Sequence, residues 1–326
     1  MRRREFIAML GGAAAAWPLT ARAQQPGMLV IGFLAPAAES PAVAHLLAAF
    51  RQGLAEAGYV EGKNLVIEDR PVNFRPELFR QAASDLVRLN VNVIFAVTPE
   101  AVAAAKNATG NIPVVALDLE SDPVAKGYVK SLARPGGNMT GMFLDIPELS
   151  GKQLELLREI FPRLSRIAIF GVPGLNAPQW AAMETAARAF AVEAEIMEVR
   201  VPDDFERALE AARTRHVEAG ILLSSPLVFL SSKQIGELAI AKRLPLISLF
   251  VEFPQVGGFM AYGPNQAELW VRCGGYVGKI LHGAKPSDLP IQRPVRFDLV
   301  INLKTAAALG VTVPPVLLAT ADEVIE

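Results

Sequence analysis

A single cysteine, Cys273, in 326 residues leaves no internal disulfide and no cysteine-based metal site. Its place between Leu269 and Val277 puts it on the apolar face of a predicted helix, where a thiol packs as a small inert hydrophobe. Histidine is almost as scarce: His45, His216 and His282 are scattered over predicted helices or their ends, a pattern of solvent-facing or packed side chains rather than of acid-base pairs. No H-E-x-x-H, no G-x-S-x-G and no G-x-G-x-x-G after a strand occurs. Residues 273–279 nearly spell a phosphate-binding loop, but Cys273 stands where the first glycine must be and Ile280 where a hydroxyl must hold magnesium. The run also lies mid-helix. The sequence therefore predicts no catalytic residue, no metal and no cofactor.

Excess charge is missing too. Thirty-two basic against 33 acidic residues give −1, and no basic run occurs, which is a poor match for nucleic acid or an anionic membrane. The weakly apolar Gly/Ala-rich stretch at 6–19 is too short and too poor in large side chains to span a bilayer. Preceded by Arg2, Arg3 and Arg4 and followed by Ala21-Arg22-Ala23, it reads as an export signal, 1–23, cut before Gln24. Arg3-Arg4-Glu5-Phe6-Ile7 resembles the twin-arginine signal, whose cargo crosses folded; a Sec signal carrying two adjacent arginines is the alternative. No cysteine near the cut excludes a lipid anchor. The expected mature chain is a soluble periplasmic monomer of charge −4, with 28 basic and 32 acidic side chains.

What is abundant is apolar sequence, 52% of the chain, enough over about 300 residues for two domains. From Met28 strands and helices alternate, and after Gly141 the alternation begins again, which predicts parallel sheets covered on both faces in two similar lobes. The first helix carries start and stop signals, Ser40-Pro41 and Gly58, around an i, i+3, i+4 stripe of Val43, Leu46, Leu47, Phe50 and Leu54. Later segments are a single helix at 230–242, a strand at 257–263, a long helix at 265–282 and a strand at 296–303 before a proline-rich end. Sharing these last elements between two sheets requires several crossings, expected at 142–145, 261–264 and 299–302. The fold class is α/β: two doubly wound parallel-sheet lobes joined by three hinge crossings, 28–143 with 263–298 and 144–262 with 299–326.

The chain is organised around residues 93–141, where two buried strands spill onto one rim. Thr98 is expected to cap the helix there, with Pro99 at its first position and Glu100 in its first turn. The second strand runs into Asp118, Glu120 and Asp122. Alternating acids in a loop suit a hard cation or, as the preferred reading, turn and capping chemistry before Pro123.

Several stretches resemble the substrate-binding proteins of ABC importers, in the branch that includes tryptophan- and tyrosine-binding members. They are IGFL near the mature start, FRQGLAEAGYVEGKNLVIE, SDPVAKGYVKSLARPGGNMTG, FMAYG and the ending from FDLVINL onward. The resemblance covers essentially the whole chain. It implies the type I periplasmic binding fold, a small organic solute (an amino acid or an aromatic or carboxylated relative) held between the lobes, and permease and ATPase subunits in the inner membrane as partners. A periplasmic ligand-sensing co-receptor is the alternative, and an exported α/β enzyme a more distant one. Two departures from the family pattern stand out: Ala96-Val97-Thr98-Pro99-Glu100 replaces a Gly-Gly-Thr-Pro-Ser type turn, and Phe250-Val251-Glu252-Phe253 replaces a Trp-Arg-Glu-Phe type segment, losing its basic residue.

Strand ends then nominate the cleft walls: Ala35, Thr98, Pro99, Glu100, Asp118 and Ser121 from the first lobe, Asn176, Ala177, Ser224, Ser225 and Glu252 from the second. Trp180 either stacks on an aromatic ligand or packs in the core, the latter preferred. In the relatives this resembles a helix start that cradles a ligand carboxylate; Glu100 either bends back along the helix dipole or points into the cleft and repels such a group.

Overall fold

In the computed structural model the described residues are 28–36, 40–70, 72, 75, 77–144 and 147–326. The export segment expected at 1–23, its arginine pair and its cleavage site lie outside them. Short β-branched runs alternate with amphipathic helices through the first lobe: β1 (Leu29–Leu34), α1 (Pro41–Glu56), β2 (Leu65–Asp69), α2 (Leu78–Arg88), β3 (Val93–Val97), α3 (Pro99–Ala108), β4 (Val114–Asp118) and β5 (Met139–Phe143). The strands form an all-parallel sheet in the order β2-β1-β3-β4-β5. Ser40 accepts a hydrogen bond from the Ala42 amide at the start of α1, with Pro41 first in the helix, as the sequence signals require.

The second lobe repeats the pattern with α4 (Pro147–Ile160), β6 (Arg166–Gly171), α5 (Ala177–Ala189), β7 (Glu193–Glu198), α6 (Asp204–Thr214), β8 (Ala219–Leu222), α7 (Pro226–Leu230), α8 (Ser232–Lys242), β9 (Leu246–Ser248), α9 (Glu252–Gln255) and β10 (Met260–Gly263). The helix expected at 230–242 is α8, beginning two residues later, and the short α7 before it is an added element. Ser225 Oγ accepts from the Val228 amide and starts the short α7 on the cleft rim, and α8 begins afresh after Ser231.

From β10 the chain returns to the first lobe, where α10 (Gln266–Leu281) packs along α1. The glycines that imitate a phosphate loop are explained here: a methyl group on Gly53 would lie 2.0 Å from Val271 O, and one on Gly274 2.3 Å from Phe50 O. The two backbones touch. Cys273 is fully buried in this seam, and burial pushes its thiol far up, out of the reactive range. The chain next runs back beside β5, where the Gln292 amide donates to Gly141 O and the Phe143 amide to Gln292 O. It then enters the second sheet as β11 (Asp298–Asn302), antiparallel to β10, followed by α11 (Leu303–Leu309), α12 (Pro315–Thr320) and β12 (Glu323–Ile325). The second sheet is ordered β12-β11-β10-β9-β8-β6-β7.

The third crossing lies at 293–297, a few residues before the expected 299–302. Asp298 already pairs with Gly263, so those residues are committed to the sheet.

One apolar cluster runs unbroken from the first lobe into the second. Its centre is aromatic: Phe95 stacks on Phe50 at 4.3 Å and on Phe33 at 5.6 Å, and Trp270 meets Phe95 edge-on at 5.3 Å. Such pairs add about 0.5–1.5 kcal/mol each beyond the area they bury. Through them α10, from the far end of the sequence, is fixed against β1 and β3.

Candidate functional site

The carboxyl ends of both sheets face a cleft between the lobes. On the first-lobe side β3 turns into α3 through Thr98, whose φ of 94° and ψ of 156° lie in a region almost reserved for glycine. Holding a threonine there costs on the order of 1–3 kcal/mol. The expected cap is not made. Thr98 Oγ1 is buried with no hydrogen-bond partner, and the side chain leaves the first turn of α3 uncapped because the strained backbone points it away from that turn.

At the end of β4 Asp118 is fully buried. Its Oδ1 accepts from the Glu120 amide at 3.0 Å and the Ser121 amide at 2.9 Å, while Oδ2 has no partner. Asp122, exposed, accepts from the Val124 and Ala125 amides. Asp118 and Asp122 therefore do the turn chemistry preferred from the sequence, and among the described residues no group of three or more His, Cys, Asp or Glu is placed to hold a metal ion. Glu120 does something different. Projected by the Asp118 turn, its Oε1 accepts from Ser224 Oγ of the second lobe at 2.5 Å.

Burial, then the Asp118 charge, pushes the Glu120 carboxyl up to about 8, the Ser224 hydrogen bond opposing the rise. Asp118 is raised as well, first by burial, with the Glu100 charge adding to it and the Glu120 amide, the Ser121 hydroxyl and the Ser121 amide opposing. The Tyr128 phenol is raised by burial and then by the Asp118 and Glu100 charges. Three acids thus share one electrostatic neighbourhood.

On the second-lobe rim Asn176 and Ser225 are satisfied, while Glu252 Oε2, Trp180 Nε1 and the Gln179 amide are buried without partners. Asn176, fully buried, accepts from the Val172 amide at 2.6 Å and donates to Ser224 O at 2.7 Å, pinning the loop after β6 to the end of β8. Ser225 is occupied as the start of α7. Phe229 and Phe250 meet edge-on at 5.0 Å and form an aromatic wall.

Between the rims lies an inner pocket whose outline holds about 570 Å³ of empty space, open solvent included. Ala35, Val97, Thr98 and Glu120 line it from the first sheet, Val43 and Leu46 from α1, and Gln266 and Trp270 from α10. Pro226, Phe229, Leu230 and Phe250 close it from the second lobe. Gln266 is buried, and its Nε2 has no partner. An outer pocket of about 790 Å³ continues toward solvent, with Thr98, Glu100 and Phe79 facing Val172, Arg200 and Ser225. Arg200 is engaged with Glu198 at 2.9 Å.

Of the residues nominated from the sequence, Ala35, Thr98, Glu100 and Ser225 line these pockets, and Ser224 reaches them through Glu120. Asp118 is buried between the lining residues Leu117 and Leu119. Pro99, Ser121, Asn176, Ala177 and Glu252 do not line them: Ser121 and Asn176 serve the turns, and Ala177 is exposed at the start of α5. Glu252 instead faces His45 of α1 across the lobes at 3.8 Å. Trp180 packs with the second-lobe core beside Gly171, the preferred alternative. Glu120, Gln266, Trp270, Phe229 and Phe250 were not nominated. Only the odd member of the acid triplet, longer by one methylene, hinted at any of them.

Residues 17–325 match the family model described as ABC transporter substrate binding protein. A tyrosine-binding protein of Clostridioides difficile (strain R20291) is 24% identical over 275 residues, 83% of this chain and 78% of that protein. Two solved structures share the fold with a TM-score of 0.82. One is a conserved domain protein of Vibrio cholerae O1 biovar El Tor, at 25% identity over 92% of this chain and all of that one. The other is an ABC domain of Streptococcus pneumoniae in complex with L-Trp, at 22% identity over 91% of this chain and 99% of that one. With two parallel-sheet lobes, a cavity between their strand ends and a family match over nearly its full length, the chain belongs to the substrate-binding proteins of ABC transporters.

Proposed function

We propose that the chain is a periplasmic solute-binding component of an ABC importer and traps a small organic solute, with a flat apolar body the size of an aromatic amino acid side chain, between its lobes. The observation that carries this reading is the inner cavity, walled by both lobes, with three aromatic rings on its sides and buried unpartnered polar atoms at Thr98 and Gln266. An apolar cavity with a few convergent polar groups is the usual form of a small-molecule site. Residues 28–143 with 264–292 and residues 144–263 with 298–326 close as two bodies about the three crossings. The Glu120–Ser224 and His45–Glu252 contacts hold the closed arrangement. Export by the 1–23 signal with cleavage after Ala23, a monomeric state, a docking role toward permease and ATPase subunits, and binding without turnover complete the reading; among the described residues no helix is long and apolar enough to cross a membrane.

A thermal-shift screen over amino acids, aromatic amines and acids, and sugars tests it. A solute present at a hundredfold over its dissociation constant stabilises the folded chain by about 2.7 kcal/mol. Chemical conversion of the best solute by the protein, or no stabilising solute in a wide panel, would overturn the reading.

A further inference from the structure

The polar end of the cavity is acidic and lacks a free cation. Thr98 and Glu120 line the inner cavity, Glu100 lines the outer one, and Asp118 is buried at the strand end between them in sequence. Among the described residues no lysine or arginine lines the inner cavity, and the one arginine of the outer pocket, Arg200, is paired with Glu198. The start of α3 favours an anion, but the chain supplies its own there in Glu100. A ligand carboxylate at this point would meet like charge in a site from which closure excludes water, where repulsion is strongest.

Acids alone do not make a site. Here a nearly fully buried group has an acceptor atom with nothing to accept from: Thr98 Oγ1, on a side chain of 8% exposure that lines the cavity. Groups of this kind are costly unless a donor reaches them. A donor-rich cation answers both the orphaned Thr98 oxygen and the crowded carboxyls, whose buried members it draws back to the charged form. An ammonium carries three donors and no acceptor.

We propose that the solute is a hydrophobic amine: a flat apolar body against Trp270, Phe229 and Phe250, an ammonium at the Glu100, Asp118 and Glu120 end, and no carboxylate. This rests on the solute-binding reading and narrows it, replacing the amino acid or carboxylated solute expected from the resemblance. The strained turn at Thr98 then has a purpose, since it keeps a hydroxyl oxygen at the cavity wall instead of on the helix start.

Calorimetry on the exported protein with matched ligands tests it, on an indole ring (tryptamine, L-tryptophan, indole-3-acetate, 3-methylindole) and on a phenyl ring in the same four forms. In at least one series the amine binds at least about tenfold tighter than both the amino acid and the acid, the discrimination expected of one charge-assisted contact. Glu120→Gln and Glu100→Gln, with unchanged thermal midpoints as the check on folding, each weaken the amine by about tenfold and leave the uncharged analogue unaffected. An amino acid or acid that binds as tightly as the amine in both series overturns the inference while leaving solute capture standing. So does failure of both amines to bind, or equal loss of amine and uncharged analogue in the glutamine variants. Solute capture itself falls only if the wide thermal-shift panel is blank.

Discussion

On the first-lobe rim Thr98 Oγ1 and Asp118 Oδ2 are buried without partners, whereas on the second-lobe rim Asn176 and Ser225 have their polar atoms committed to backbone groups a few residues away. The first rim is strained at Thr98 and crowded with carboxylates; the second is a relaxed scaffold carrying Phe229 and Phe250. Sheets of the same construction thus meet one cavity with different chemistry. Unsatisfied polar atoms cost stability, and although Gln179, Trp180 and Glu252 of the second lobe carry some, those on residues lining the inner cavity, Thr98 and Gln266, belong to the first lobe, which places polar recognition there and leaves the other side as an apolar cover. The contact of Glu120 with Ser224 joins the two roles.

The largest effect that would break this comparison comes from the second rim. Asn176→Ala leaves the Val172 amide and the Ser224 carbonyl unsatisfied, and at about 1–3 kcal/mol for each group the expected loss is about 2–6 kcal/mol in urea unfolding. The ranking of solutes stays the same. A changed ranking would make Asn176 a recognition residue and undo the contrast.

Ser224→Ala comes next. It removes the contact between rims, and solute binding weakens by about tenfold, near the 1.5 kcal/mol of a hydrogen bond to an acid, with little change in unfolding of the ligand-free protein. Equal loss in both measurements would mean that the contact holds the fold rather than the closed state.

Thr98→Gly carries the opposite sign. Relief of the positive-φ strain outweighs the roughly 0.5–1 kcal/mol entropy cost of glycine, so the ligand-free protein gains about 1 kcal/mol while solute binding falls. Calorimetric scanning reads the gain as a rise of about 2–4 °C. Destabilisation by this substitution would show that Thr98 is not strained at all.

The smallest effect is a slope with pH. Glu120 is raised from 4.5 to about 8 and Asp118 is raised with it, so the folded state binds more protons than the unfolded one between these values. Their contribution to stability is fully present below about 4.5 and is lost as pH rises through about 8. The groups facing Glu120 are Asp118 beside it, Glu100 on α3 and the Ser224 hydroxyl of the second lobe. Glu120→Gln flattens the fall in thermal midpoint across this window; a parallel curve in the variant would show that Glu120 titrates normally.

The sequence carried the two lobes because most central strands are short buried runs and the helices between them carry apolar stripes, with side-chain caps at Ser40 and Asn265 marking the starts of α1 and α10. It carried less where the signal is tertiary. Strand β5 contains Gly141 at a φ of 139°, where a methyl group would lie 2.0 Å from Ala116 O, so close pairing with β4 rather than β propensity makes it a strand. Three-residue β12 and the short α7 were likewise invisible to periodicity. Of the eleven residues nominated from strand ends, Ala35, Thr98, Glu100 and Ser225 line the two pockets. Trp270 and Gln266 were not nominated, because α10 arrives from the far end of the chain and nothing local says that its first turns face the first-lobe rim. Glu120 was read with its neighbours as turn chemistry, since only a view across the cleft shows Ser224 opposite it.

A structure of the protein with its tightest solute tests the central claim most directly. The account predicts the solute between the lobes, its polar group against Thr98 and Glu120 and its flat body between Trp270 and the Phe229–Phe250 wall. A solute bound outside this cavity, or one whose polar group turns to Asn176 and Ser225 while Thr98 Oγ1 stays without a partner, would contradict it.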